Sequence, residues 1–385
     1  MEIPALKKEI VSLINKRGKI TFADFMELAL YHPEHGYYTS GKEKIGKKGD
    51  YYTSSDVHPV FGELIARQLE QMWRLMGKGR FTVVEIGAGK GWLCYDIINS
   101  IKKKFPEFFE EIDYKIVEIS RNLIERQSNT LKGLEGKVSW ESFSENGFSF
   151  EPVVGSFLSN EFVDSLPVHQ VIVEENCLKE IYVTIKDDEF CEVMDDLSDP
   201  VLEDYFENSE VNLKEGQRAE VNLKVLDWVK NISHYLNRGF VITIDYGYLA
   251  EDLYSEQRYR GTLMCYYEHT TSDNLYERVG SQDITSHVNF SSLIEAGNRC
   301  GLSTTGFTRQ SRFLIALGIL DEMNKSQGDI GKLLTMKNLF LPGGMGDVFK
   351  VLIQHKGVDN PELIGLRSMS EPELVREIEG LEIEY

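Results

Sequence analysis

Residues 81–91 read FTVVEIGAGKG. A β-branched run ends on an acid, Glu85, and glycines then alternate at Gly87, Gly89 and Gly91. A strand, a glycine turn and a helix at the edge of a parallel sheet form a nucleotide site, because glycine lets backbone approach a ligand closely. The P-loop pattern GxxxxGK[ST] fails twice here: Gly91 follows Gly89-Lys90, and position 84 is Val. The dinucleotide pattern GxGxxG fits poorly, since the spacing is GxGxG with Trp92 where the third glycine would stand; an NAD site is weakened, not excluded. S-adenosylmethionine carries no phosphate. It brings an adenosine, a sulfonium and an amino-acid end. Glu85 is unfavourable beside pyrophosphate but suits an ammonium or sulfonium. The second strand ends VEIS, which places Glu118 to accept both ribose hydroxyls, and Glu141 after the third strand lies towards the adenine. One such acid is more often a plain surface residue. Three of them closing successive strands after a GxGxG turn point to this cofactor.

Methyl transfer from a sulfonium is an in-line displacement with a neutral leaving group, so the protein must chiefly align the reactants and exclude water. The acceptor candidates lie in SNEFVDSLP, 159–167. Glu161 and Asp164 are three apart and share a face if a helical turn follows the strand. Asn160 can orient the ligand through its amide, and His169 can accept a proton. In the plain alternative Asp164 caps a turn before Pro167 and His169 only opens a hairpin. The Gly- and Tyr-rich stretch 31–62 is long for a loop without function. Asp50, Thr53 and Ser54 would close it over the methionine end of the cofactor. Tyr37 and Tyr38 would cover the acceptor channel, or simply pack the N-terminal helices on the sheet. Asp283 and His287, four apart, could pair on a helical turn in the pocket wall, although a metal would want more ligands. Asp245 ends the fifth strand and is expected to fix a loop by hydrogen bonding.

The elements that must hold these groups alternate from residue 81. Strands at FTVVEIG, DYKIVEIS, GKVSWESF and PVVGSFLSN are separated by helical text, which implies a parallel sheet with helices on both faces. Before it, residues 4–30 read as helices, with Thr21 capping the second. Residues 168–193 break the alternation and read as an antiparallel meander with turns at Glu175-Asn176 and Asp187-Asp188. An acidic stretch connects to the helix VNLKVLDWVKNISHYLNRG, closed by Gly239. The strand FVITIDYGY, the helix SSLIEAGNRCGL and the strand GDVFKVLIQHKG follow. The divisions expected are 1–78, helical with the covering loop; 79–167 with 221–357, the cofactor-binding core; 168–220, an inserted hairpin and connector; and 358–385, an acidic tail.

The 385 residues carry a formal charge of −20. Such a surface repels phosphate backbones, which argues against nucleic acid, and is compatible with a cationic substrate, though solubility alone accounts for it. No apolar run of about 18 residues suggests membrane insertion. The first twenty residues lack the apolar centre of a signal peptide and carry Glu2 and Glu9. The five cysteines are scattered and form no CxxC pair, so neither a disulfide framework nor zinc is expected, and the reading is a reducing cytoplasm.

Several segments, in chain order, resemble the MidA-like family of class I methyltransferases, which includes a mitochondrial complex I assembly factor that methylates arginine. They are LYHPEHGYY (30–38), GDYYTSSDVHPVFGELIA (49–66), EIGAGKG (85–91), VEISRNLIERQ (117–127), SNEFVDSLPVHQ (159–170), IDYG (244–247), TLMCYYEH (262–269), GSQDITSHVNFSSL (280–293) and GMGDVFKVL (344–352). The chain departs from the pattern at SSDVHP, where a Pro-Glu pair and a small residue are usual, and at Ala88 and Lys90, where Pro and Arg are common. The resemblance implies an α/β, Rossmann-like sheet, mostly parallel with an antiparallel last strand, carrying N-terminal helices and an inserted β-meander. It implies S-adenosylmethionine as cofactor, held by Glu85, Gly87, Ala88, Gly89, Gly91, Glu118, Ile119 and Glu141 with Asp50, Thr53 and Ser54. It implies a protein partner with an accessible arginine, in respiratory-complex assembly. An arginine acceptor stays protonated, and carboxylates can grip its fork and aim one nitrogen. A small-molecule methyltransferase and a non-catalytic, cofactor-binding assembly factor are the other readings. A homodimer is compatible with the sequence, which leaves the oligomeric state open.

Overall fold

The FTVVEI run forms a strand, β1 (Phe81–Ile86), in which all six residues are buried. A strand apolar on both faces belongs in the middle of a covered parallel sheet. In this computed structural model, which describes residues 5–40, 58–144, 147–208, 211–326, 328–341 and 344–368, β1 lies at the centre of one. Its other strands are β2 (Ile112–Val117), β3 (Val138–Glu141), β4 (Val153–Asn160), β5 (Leu236–Tyr248), β6 (Ser303–Arg309) and β7 (Phe349–Lys356). Their order is β6-β7-β5-β4-β1-β2-β3, with a short strand Val288–Asn289 beside the end of β5. Strands β3 to β5 run parallel through β2, β1 and β4, while β7 is antiparallel to both β5 and β6. This is the class I methyltransferase fold. The chain progresses one way from β1 to β3 and the other way from β4, so a crevice opens beyond the carboxyl ends of β1 and β4.

Helices cover both faces. Val60–Leu75 and Trp92–Lys104 pack on one, Lys224–Tyr235 and Phe290–Arg299 on the other. Trp92–Lys104 buries Leu93, Cys94, Ile97, Ile98 and Ile101 and ends in Lys102, Lys103 and Lys104, cations suited to a helix C-terminus. The second N-terminal helix, Phe22–Tyr31, starts as expected: Thr21 Oγ1 accepts from the Asp24 amide at 3.0 Å.

Gly239 does not close a helix. The helix ends at Tyr235, β5 begins at Leu236, and Gly239 lies within the strand. A Cβ there would stand 1.8 Å from the carbonyl oxygen of Gly155, and one on Gly155 would stand 1.9 Å from that of Thr82. Two glycines in register let β1, β4 and β5 approach where side chains could not fit.

The meander forms a second sheet from His169–Glu174, Cys177–Lys186 and Glu189–Asp195. Glu175-Asn176 and Asp187-Asp188 have φ of 52°, 60°, 52° and 63°, the conformation of tight hairpin turns. Ile20–Thr21 and Arg218–Val221 add strands to this sheet, so it binds chain from both sides of the meander. The N-terminal helices pack against it. Among the described residues no helix is long and apolar enough to cross a membrane.

Candidate active site

The glycine turn after β1 takes positive φ at Gly87 (73°), Gly89 (52°) and Gly91 (80°). Gly91 is the N-cap of Trp92–Lys104 and does not line the crevice. Gly87 does, and a Cβ on it would stand 2.8 Å from the Phe162 ring. Glu85, 2 % exposed, accepts a 2.8 Å hydrogen bond from the Tyr114 hydroxyl. Burial pushes its carboxyl up to about 7, and the tyrosine opposes this.

Glu118 is held by its own neighbourhood. Its Oε1 accepts from the Ile119 and Ser120 amides, both at 2.9 Å, and its Oε2 from Gln127 Nε2 at 3.0 Å. Burial raises its pKa, and these donors oppose the rise. Oε2 retains an acceptor position for a ribose hydroxyl. Gln127 also donates to the Gly89 carbonyl at 2.9 Å and accepts from Trp140 Nε1 at 2.9 Å, so it ties the acid to the glycine turn. The sequence pattern does not single Gln127 out. The available signal is its place at the end of ERQ, two helical turns beyond Ser120.

A cavity of about 790 Å³ opens here. Glu85, Gly87, Ala88, Gly89, Glu118 and Ile119 form one part of its wall, and Asn160 and Glu161 face it from the end of β4. Tyr31, Tyr38, Phe162 and Trp228 give it aromatic sides. Glu141 is not part of this wall. Lys115 Nζ lies 2.5 Å from its Oε1, and Ser149 donates to its Oε2 at 2.9 Å, so the carboxylate is turned to its own strand and hairpin rather than to an adenine. Asp50, Thr53 and Ser54 lie outside the described residues.

The turn after β4 differs from the helical one expected. Glu161 has φ 54°, and its amide donates to the Ile244 carbonyl at 2.9 Å. A single turn of 3-10 helix then spans Val163–Ser165. The left-handed residue breaks any common helical face, so Glu161 lines the cavity and Asp164 does not. Asp164 is 6 % exposed, and its Oδ1 has no hydrogen-bond partner among the described residues. Burial pushes its carboxyl up to about 6, against a hydrogen bond with Tyr246. Asn160 donates through Nδ2 to Glu161 Oε1 at 3.0 Å, and its own Oδ1 is buried without a partner among the described residues. Asp245 fixes this turn, as expected: its Oδ2 accepts from the amides of Phe162 (3.1 Å), Val163 (2.8 Å) and Asp164 (3.3 Å). Burial, then the charges of Asp164 and Glu161, push its pKa well up.

His169 is not a proton acceptor at this cavity. Its Nδ1 is 2.7 Å from Glu180 Oε1 across the hairpin, and it does not line the wall. Tyr37 is fully buried among the N-terminal helices and their sheet, whereas Tyr38 reaches the cavity and donates to Asp283 Oδ1 at 2.8 Å. Asp283 sits in a strand, Asp283–Thr285, and His287 in the following loop, so they are no helical pair.

These residues fit an adenosyl sulfonium. The turn leaves no room for a Cβ at Gly87, a fixed acid stands at the end of β2, and the cavity that both line is of ligand size. Glu118 would hold the ribose, and Ile119, Leu123, Phe143 and Phe148 on the same wall offer the base apolar surface.

The model of a family described as "Putative S-adenosyl-L-methionine-dependent methyltransferase" matches residues 64–308. The human protein named protein arginine methyltransferase NDUFAF7, mitochondrial, is 26 % identical over 92 % of this chain and 84 % of its own length. A Caenorhabditis elegans homologue of the same name is 26 % identical over 90 % and 85 %. A Burkholderia thailandensis structure with S-adenosyl-homocysteine bound superposes with a TM-score of 0.86 at 29 % identity, covering 95 % of this chain and 97 % of that one. The glycine turn, the acids at the strand ends and these likenesses agree: the cofactor is S-adenosylmethionine, and the chain belongs to the MidA-like family of class I S-adenosylmethionine-dependent methyltransferases.

Proposed function

We propose that the protein methylates an arginine side chain of a protein partner. The observation that carries this reading is the placement of Glu161. Glu161 lines the same cavity as the glycine turn, on a left-handed residue, with aromatic walls from Tyr31, Tyr38, Phe162 and Trp228. Glu27 and Asp227 lie on the same wall. A planar cation is suited to such a channel, since rings attract its face and carboxylates take its N–H fork. The relatives' name supports the same acceptor.

The bound cofactor supplies an electrophilic methyl on a sulfonium, with a neutral thioether as the leaving group. The chain's own part is alignment. Glu161 would hold two N–H groups of the guanidinium and aim a third nitrogen across the cavity, and Asn160 fixes the Glu161 carboxylate through its amide N–H. Transfer to the aimed nitrogen would release one guanidinium proton, which the Glu161 carboxylate gripping the fork is placed to accept. Aromatic walls keep water from competing for the methyl.

Incubation of the purified protein with isotopically labelled cofactor and cell lysate, followed by mass spectrometry, tests this. Label in methylarginine of a discrete protein is expected. Label confined to small molecules would overturn the reading.

A further inference from the structure

Asp245 takes no part in the arginine reading, and its surroundings ask for a separate account. Its carboxylate is completely buried. Oδ2 collects three consecutive backbone N–H groups, and Oδ1 accepts a fourth from Tyr246 at 2.9 Å. Both oxygens are therefore committed to amides. The turn they hold starts at Glu161, in the left-handed region that non-glycine residues enter only at an energetic cost. Something must hold that conformation, and Asp245 together with the Glu161–Ile244 bond does so. The same turn carries Phe162, whose ring occupies the space a Cβ on Gly87 would need. The ring also packs on Trp228, with centroids 6.0 Å apart. One carboxylate thus fixes, through a single rigid turn, the acid facing the acceptor and the ring bearing on the cofactor loop.

We propose that Asp245 is a positioning residue for methyl transfer, coupling the acceptor-side turn 160–165 to the glycine turn of the cofactor site through Phe162 on Gly87. Occupation of the cofactor site presses on Gly87 and Phe162 and is transmitted to Glu161 only while the amides of 162–164 are anchored. Asparagine cannot replace the carboxylate: with its oxygen toward the three amides, its NH2 meets the Tyr246 N–H, a donor against a donor.

The test uses the full-length protein and S-adenosyl-homocysteine, and reads amide hydrogen exchange of the segment 160–165 with and without ligand. In the unaltered protein, ligand is expected to slow exchange of that segment about tenfold or more, beyond the glycine turn it touches. In Asp245→Asn, ligand still binds and protects residues 85–91, but protection of 160–165 falls to less than about twofold. A merely structural aspartate would speed exchange across the sheet and leave the ligand-induced protection of 160–165 intact, and that result overturns the proposal. If Asp245→Asn does not fold, Phe162→Leu keeps the carboxylate and its four bonds while removing the ring from Gly87. It is expected to lose the same protection, and full protection in that variant also overturns the proposal. The measurement needs no acceptor, so its outcome is separate from that of the arginine reading.

Discussion

The two halves of the crevice treat their acids differently. On the cofactor side each acid is satisfied by its own neighbourhood. Glu118 takes the amides of Ile119 and Ser120 and the side chain of Gln127, and Glu85 takes the hydroxyl of Tyr114 on the adjoining strand. On the acceptor side the acids act on one another. Burial first, and then the charges of Asp164 and Glu161, raise the pKa of Asp245, which accepts the amides of Phe162, Val163 and Asp164. The first arrangement is a receptor assembled from short stretches of chain. The second gathers three carboxyls around one turn, with Glu161 the one of the three that lines the cavity, and is held by a residue far along the chain.

This contrast can be broken most sharply at the cofactor turn. Gly87→Ala places a Cβ against Phe162 at a left-handed position, where backbone strain alone is about 1–2 kcal/mol, so S-adenosyl-homocysteine affinity measured by calorimetry should fall at least about tenfold. A preserved affinity would show that the turn adapts and that the cofactor half is not rigid. Glu161→Gln is aimed at the other half. It removes the charge and leaves an amide that can accept through only one oxygen, so turnover should fall about a hundredfold while ligand affinity stays within about threefold. Loss of affinity instead would mean that the two halves are not separate.

A smaller effect follows from Glu85. Its carboxyl, raised to about 7 by burial, is largely neutral at pH 6 and ionised at pH 8. A cationic ligand end favours the ionised form, so binding at pH 6 should release a proton, and affinity should rise as pH increases through 7. Calorimetry in buffers of different ionisation enthalpy reads the proton directly, and Glu85→Gln should flatten the profile. Proton uptake on binding would place the cation elsewhere. The smallest effect is expected from His169→Ala. This histidine is paired with Glu180 across the hairpin, so turnover per folded enzyme should stay within about twofold, with the cost appearing as a lower melting temperature. A large drop in turnover would return His169 to the chemistry.

The cofactor half was legible in the sequence because its determinants are neighbours in the chain: strand, glycines, helix, and an acid closing the next strand. The meander was legible for the same reason, since Glu175-Asn176 and Asp187-Asp188 between alternating runs state a hairpin turn locally. The acceptor turn was not. SNEFVDSLP suits a helical turn by spacing, and what overrides the spacing is Asp245, 82 residues beyond Val163. His169 looked available because its partner, Glu180, becomes its neighbour only once the hairpin has formed. Gly239 misled for another reason. A helix end and a crowded strand both favour glycine, and only the approach of Gly155 distinguishes them. Glu141 stands at the end of its strand as the other acids do, but the lysine that takes it, Lys115, lies on β2 beside it.

The antiparallel strand β7 has a consequence for biosynthesis. Among the described strands it is the last to leave the ribosome, yet it is wedged between β5 and β6 and pairs with both along most of their length. A nascent chain halted before Phe349 holds every acid of the crevice but leaves β6 with no neighbour in this sheet and β5 with an open flank, the kind of flank through which chains aggregate. Premature termination before Phe349 should therefore yield an insoluble product rather than a shortened enzyme.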